Sequence, residues 1–418
     1  MGLFVRHIRT QVEEALDWAR VIMIHGARQS GKTTLARMIA EDRGGTYASM
    51  DDDGLREGVL DDPVTFLAHQ RYPLVIDEVQ RGGDRLVFAV KRLVDEERTP
   101  GRFILTGSTN FLTVPNISES LAGRVQIFRL WPLSEAELIG NHPTEVDRWF
   151  EDGPDPSPTS ELDRAGYLAR VCRGGYPEAV SLAAGRRRRW FQGYVETVVQ
   201  RDIAALADIR KASALAPLLR WTAALTGRQI NLSDASRRLG ISRPTLAGYF
   251  EWLQTVFLVH ELPSWSRGLV PGAGRRPKFY VTDSGLAAAL LDTDADSLVS
   301  PTAPATGPLL ETFTVGEIAR QLSASPRAIT LSHYRDHKGR EIDLILSGSN
   351  ADVVAVEIKA TTSPRSKHMD HLRWLRDKLD AVSPGTFRAG VLLYTGPYTL
   401  SMGDRLHMRP IDRLWSRY

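Results

Sequence analysis

Short, mainly apolar runs punctuate the first third of the chain, at 21–25, 46–50, 74–76, 103–106 and 125–130. Helix-spaced stretches separate them. Runs that are apolar at every position, instead of at alternate ones, predict strands buried on both faces, and hence a parallel sheet covered by helices. After residue 160 the pattern becomes mostly helical up to 257, with strand-like runs at 257–262 and 278–282. From 309 onward helices (309–322, 367–379) are mixed with strands (329–334, 341–346, 353–359, 390–394). Two stretches, 151–160 and 292–308, are rich in Pro, Asp and Ser and offer too little apolar surface to pack. They read as linkers and divide an α/β chain into domains at 1–150, 160–291 and 309–418.

The length of 418 residues agrees with that division, since single cores rarely grow past about 250–300 residues. With 53 basic and 50 acidic residues the net charge is only +3, so a nucleic-acid surface has to be a local patch. The densest run is Arg186-Arg187-Arg188-Arg189 before Trp190, which reads equally well as a solvated helix face. One cysteine, Cys172, excludes an internal disulfide and a multi-cysteine zinc site, and it fits a reducing compartment. The first residues carry Arg6 and Arg9 before any long apolar run, unlike a signal peptide. Arg6 also stands where a myristoylation signal needs Ser or Thr. No run approaches membrane-spanning length. The expectation is a soluble, cytoplasmic protein without membrane association.

The chemistry is most specific at Gly26, Ala27, Arg28, Gln29, Ser30, Gly31, Lys32 and Thr33, which match G-x-x-x-x-G-K-[ST] in full; Thr34 continues into a helix-forming stretch. The glycines let successive backbone N–H groups turn toward one point at a helix N-terminus, which attracts phosphate. Lys32 is placed to reach the β- and γ-phosphates of ATP, and the Thr33 hydroxyl to bind Mg²⁺. Leu74-Val75-Ile76-Asp77-Glu78 supplies the complement: an apolar strand ending in two acids is costly unless they meet a cation or water. Asp77 is expected to orient Mg²⁺ and Glu78 to polarise the attacking water, which points to hydrolysis as well as binding.

Residues 232–250 read as helix-turn-helix: Ser233 and Ser242 suit N-caps, Gly240 the tight turn and Pro244 a first helical turn. With the two strands that follow, and Arg267, Arg275 and Arg276 between them, the unit reads as a winged helix. Arg243, Thr245 and Tyr249 would then face a DNA groove. Packing against other protein is the alternative. In the last segment Asp343 precedes Glu357-Ile358-Lys359 across a turn. A hairpin in that order brings two carboxylates and a lysine together, a set able to hold a hard divalent cation and activate water.

The P-loop, the LVIDEVQ strand, Ile104-Leu105-Thr106-Gly107-Ser108, Leu121-Ala122-Gly123-Arg124 and Trp131-Pro132-Leu133 resemble a bacterial and archaeal family of AAA-type ATPases with a nuclease-like C-terminal domain. The likeness continues through Gly174-Gly175-Tyr176-Pro177-Glu178, Arg201-Asp202-Ile203 and Tyr280-Val281-Thr282-Asp283-Ser284-Gly285. It implies that Ser108, with Asn110, senses the γ-phosphate, and that Arg124 is an arginine finger serving the next copy in a homo-oligomer. The last segment resembles the restriction-endonuclease-like PD-(D/E)xK fold. Asp343, Glu357 and Lys359 match its motif and Glu311 its helix acid, while Ile342 replaces the usual proline. The resulting expectation is an ATP-binding, ATP-hydrolysing, DNA-associated protein with a Mg²⁺-dependent nuclease domain. The alternative is a regulatory ATP switch whose C-terminal domains bind partners without cutting. A phosphotransferase is disfavoured by Glu78.

Overall fold

The computed structural model describes residues 3–110, 120–142, 145–151, 159–203, 214–266, 276–300 and 302–416, with backbone alone at 200–202. Arg267 and Arg275, the side chains of Arg201 and Asp202, and most of 151–160 lie outside these residues.

The chain forms two units, and the first comprises Met1–Pro132 with Trp252–Phe257. Its strands are β1 (Val21–His25), β2 (Thr46–Ser49), β3 (Leu74–Asp77), β4 (Phe103–Gly107) and β5 (Val125–Arg129). They pair in parallel in the order β2-β3-β4-β1-β5. Strand alternation explains why the β1 run is apolar on both of its faces. Val21 and Met23 join a core with Leu86, Val87 and Val90 of the Gly83–Glu96 helix on one face. Ile22 and Ile24 join Val12, Leu35 and Ile39 on the other. Every position of β1 therefore buries a side chain, worth about 1.5–3 kcal/mol for each large aliphatic residue. The order also places the carboxyl ends of β1, β3 and β4 side by side, where open α/β sheets bind ligands.

The second unit comprises Leu133–Glu251 and Leu258–Tyr418. Strands β6 (Arg228–Gln229), β7 (Val259–Leu262) and β8 (Lys278–Val281) form an antiparallel sheet ordered β6-β8-β7. The helices Leu232–Leu239 and Arg243–Thr255 precede β7, separated by a left-handed Gly240. Strands β9 (Thr330–Arg335), β10 (Glu341–Ser347), β11 (Val353–Lys359), β12 (Phe387–Tyr394), β13 (Leu400–Ser401) and β14 (Leu406–Pro410) form a mixed sheet ordered β13-β14-β12-β11-β10-β9.

The stretch 292–308 is not the solvated linker its composition suggests. It contains the helix Ala295–Val299, whose Leu298 is buried and whose cap, Asp294, accepts from Ser297 N at 2.9 Å. The next helix already starts at Thr306 and runs to Ser323. Asp and Ser here act as caps, which composition alone cannot distinguish from loop residues.

Two of the quoted glycine-rich motifs meet in this unit around Asp283. Its carboxylate accepts from Gly175 N at 2.7 Å and Leu286 N at 2.9 Å, and it lies 3.6 Å from Arg320. A Cβ on Gly175 would fall 2.1 Å from the Leu133 carbonyl oxygen, so this backbone junction excludes side chains. Asp283→Ala leaves the Gly175 and Leu286 amides without their acceptor and Arg320 with Glu317 as its remaining partner, and is expected to cost about 1–3 kcal/mol, measurable as a lowered denaturation midpoint. Among the described residues no helix is long and apolar enough to cross a membrane.

Candidate functional site

At the end of β1 the chain turns sharply because Gly26 approaches the neighbouring strand closely: a Cβ there would sit 2.1 Å from the Leu130 carbonyl oxygen. Gly31, with φ of 96°, then caps the Lys32–Asp42 helix in a left-handed conformation that suits glycine. Lys32 is buried and its Nζ donates to the carbonyls of Gly26 at 3.0 Å and Ala27 at 2.9 Å, bridging the loop. Arg28 is half-buried, whereas Gln29 and Thr34 are exposed.

The Thr33 hydroxyl donates to Asp77 Oδ1 at 2.9 Å and lies 3.1 Å from Oδ2. Tyr47 OH donates to Asp77 Oδ2 at 2.9 Å, and Thr106 closes on Oδ1. Glu78 follows in a left-handed conformation, φ 52°, which swings its carboxylate out of the strand. There its Oε2 accepts from Ser108 Oγ at 3.0 Å, from Ser108 N at 3.3 Å and from Gln80. Ser108 thus stands against Glu78, while the Asn110 amide bonds the Thr255 carbonyl at 2.7 Å. A hydroxyl–carboxylate pair at the helix start, a buried lysine over the loop carbonyls and an acid held by hydroxyl and amide donors suit ATP·Mg²⁺.

Several contributors carry no motif signal. Tyr47 is an ordinary strand residue; Thr106 and Gln80 lie within the Ile104-Leu105-Thr106-Gly107-Ser108 and LVIDEVQ stretches, which assign them no role of their own. Arg6, far upstream, is buried and donates to the carbonyls of Ser30 and Trp131, each at 2.7 Å, pinning the loop from behind. His25 is held neutral: burial, then the charges of Arg129 and Lys32, push its pKa down to about 4. The unfolded chain takes that proton near pH 6.5, so the stability of this unit is complete above about 6.5 and falls as pH drops toward 4. His25→Gln is expected to flatten that acid limb of the stability curve, read by denaturant titration at stepped pH.

Arg124 makes a two-pronged pair with Asp95, at 2.6 and 2.9 Å, and its Nη1 also donates to the Ala122 carbonyl. The arginine run is half engaged too. Arg188 lies 3.1 Å from Asp292 and 3.4 Å from Asp294, and Trp190 stacks on Tyr194. Cys172 has its thiol pushed up to about 12 by burial and the Asp294 charge, so it is a poor nucleophile.

In the second unit the antiparallel register, Leu344 opposite Val356, brings Asp343 and Glu357 across from each other. Lys359 Nζ lies 2.6 Å from Glu357 Oε2 and 3.4 Å from Asp343 Oδ2, which also accepts from Ile358 N at 2.9 Å. Burial, with the Asp343 charge adding, pushes Glu357 up to about 7, and burial and Asp343 do the same to Glu311. Burial alone would raise Asp343, but Lys359 and Lys278 hold it below its ordinary value. The expected metal acids are therefore together, yet a residue absent from the motif stands among them: Lys278 of β8 contacts Glu311, Glu341 and Asp343. Among the described residues no group of three or more acid, histidine or cysteine side chains is arranged to hold a metal ion. These side chains, as placed, do not fit a divalent cation.

On the helix pair Arg237, Arg238, Arg243 and Thr245 are exposed, as is Arg276, but Tyr249 is buried and cannot face a groove. Like Phe250, it belongs to the buried side of the helix.

A family model described as an AAA domain matches residues 19–139. Two domains of unknown function, DUF8612 and DUF4143, match 164–297 and 306–414. The chain is 28% identical to the uncharacterized protein Rv2008c of Mycobacterium tuberculosis over 412 residues, covering 98% of this chain and 84% of that protein. An uncharacterized protein of Haemophilus influenzae is 23% identical over 229 residues, 52% of each chain. Among solved structures, the Walker-type ATPase PABY2304 of Pyrococcus abyssi overlaps 69% of this chain and 96% of its own, with 17% identity and a TM-score of 0.43. The Thermotoga maritima RuvB Holliday junction branch migration motor overlaps 61% and 89%, with 19% identity and a TM-score of 0.30. Over residues 19–139 the chain carries an AAA-type, P-loop ATPase-like domain.

Proposed function

We propose that the first unit binds ATP·Mg²⁺ and hydrolyses it, and that this cycle controls a second unit that associates with DNA. The observation that carries the ATPase reading is the meeting of the Thr33–Asp77 pair with the Glu78–Ser108 pair at the carboxyl ends of β3 and β4. Lys32 exchanges its two loop carbonyls for phosphate oxygens. The Thr33 hydroxyl turns a lone pair to the metal, with Asp77 behind it. Glu78 orients the attacking water and accepts its proton, and Ser108 holds Glu78 in place. Mg²⁺ supplies neutralisation of charge on the β- and γ-phosphates. The test is ATP turnover with and without single-stranded and duplex DNA; no turnover in either condition removes the reading.

DNA association is supported by the exposed Arg237, Arg238 and Arg243 on the helix pair. Affinity should then fall linearly in log K against log salt, and Arg243→Ala should reduce the slope by about 0.9. An absence of DNA affinity at low salt favours the regulatory reading, in which the second unit binds protein. The resemblance also offers Arg124 to a neighbouring copy, for which it must leave Asp95. Mixing Arg124→Ala with Lys32→Ala should then restore turnover, and turnover independent of protein concentration removes the oligomer.

A further inference from the structure

The geometry points to Lys278 as a built-in replacement for a divalent cation: its ammonium fills the centre of the C-terminal acid cluster, which is a lysine socket and not a metal site. Lys278 Nζ lies 2.8 Å from Glu341 Oε1, 3.0 Å from Glu311 Oε1 and 3.5 Å from Asp343 Oδ1. An ammonium has three N–H donors and here meets three carboxylates, one for each. Only 1% of the residue is exposed, and a lysine so deeply buried persists only when its charge is met.

The acids are correspondingly committed. Glu311 Oε1 also accepts from Tyr280 OH at 2.7 Å, from the same strand as Lys278. Its carboxylate packs on Gly227, where a Cβ would come within 3.1 Å of that oxygen. Asp343 divides its oxygens, Oδ1 toward Lys278 and Oδ2 toward Lys359 and the Ile358 amide. Mg²⁺ needs near-octahedral oxygens at about 2.0–2.1 Å, whereas Glu311 Oε1 and both Asp343 oxygens are already engaged by Lys278, Tyr280, Lys359 and the Ile358 amide. Lys278 cannot easily swing away either. It sits in the middle strand of its sheet, opposite Gln229 on β6 and Leu262 on β7. The socket therefore ties β8 to the Thr306–Ser323 helix and to β10. Phosphodiester cleavage by metal-activated water is closed to this centre while Lys278 is in place.

Mn²⁺ binding to the nucleotide-free full chain, counted by electron paramagnetic resonance, tests this. Any Mn²⁺ held by the P-loop unit is common to all variants and cancels. Wild type, Glu311→Gln and Asp343→Asn should bind equal amounts. Lys278→Met should gain one equivalent, lost again in Lys278→Met/Glu311→Gln, while Lys278→Arg gains none. A wild-type count that falls on Glu311→Gln or Asp343→Asn overturns the inference, as does a folded Lys278→Met with no added Mn²⁺. Should Lys278→Met not fold, the comparison of wild type with the two acid variants decides alone.

Discussion

Glu78→Gln is expected to bind ATP as wild type does and to lose about 10²–10⁴-fold in turnover, the usual contribution of a positioned general base. The amide preserves the size of the side chain and can still accept at its oxygen from Ser108 Oγ and N, which lie 3.0 and 3.3 Å from Oε2. It cannot accept a proton from water. Because Asp77 and Thr33 are untouched, the nucleotide affinity should be nearly unchanged, separating this variant from one that disrupts the loop. Single-turnover hydrolysis beside equilibrium binding of a labelled nucleotide checks both halves. A Glu78→Gln protein that turns over at the wild-type rate would remove Glu78 from the chemistry.

Lys32→Ala should instead abolish nucleotide binding. On the proposed reading the buried ammonium, in the first turn of the Lys32–Asp42 helix and over the loop carbonyls, is the charge that meets the phosphates. In wild type, ATP·Mg²⁺ at a hundred times Kd should stabilise the unit by about 2.7 kcal/mol, seen as a raised melting temperature. The variant should show no shift. Removing Lys32 also takes one donor from the Gly26 and Ala27 carbonyls, so its nucleotide-free melting temperature must be measured as well. A shift of equal size in Lys32→Ala and wild type would place binding elsewhere.

The P-loop was legible because it is encoded in adjacent residues. Gly26, Gly31, Lys32 and Thr33 act through backbone shape and reach within one turn, and a strand and a helix on either side leave little freedom in how the loop is placed. Asp77 and Glu78 were legible for a related reason, two acids closing an apolar strand. The partners that hold them were not. Tyr47 and Thr106 become part of the site through strand order and Arg6 through the return of the N-terminal segment, and neither the adjacency of β3 and β4 nor that return is written in local spacing.

The C-terminal segment shows the other limit. Spacing alone foretold the hairpin that brings Asp343 to Glu357 and Lys359, since antiparallel pairing of consecutive strands is a local matter. Whether those acids meet a metal or an ammonium depends on Lys278, sixty-five residues before Asp343 on a strand of a different sheet. Tyr249 failed as a groove residue for a similar reason: helical spacing gives the angle of a side chain, but the packing partner decides which side is covered. Sequence by itself determined the parallel sheet, the glycine loop between β1 and its helix, and the acids that end their strand, because contiguous residues and short-range geometry set these. Tertiary structure alone decided which distant charges neutralise which, because electrostatic pairing depends on separation in space and not along the chain.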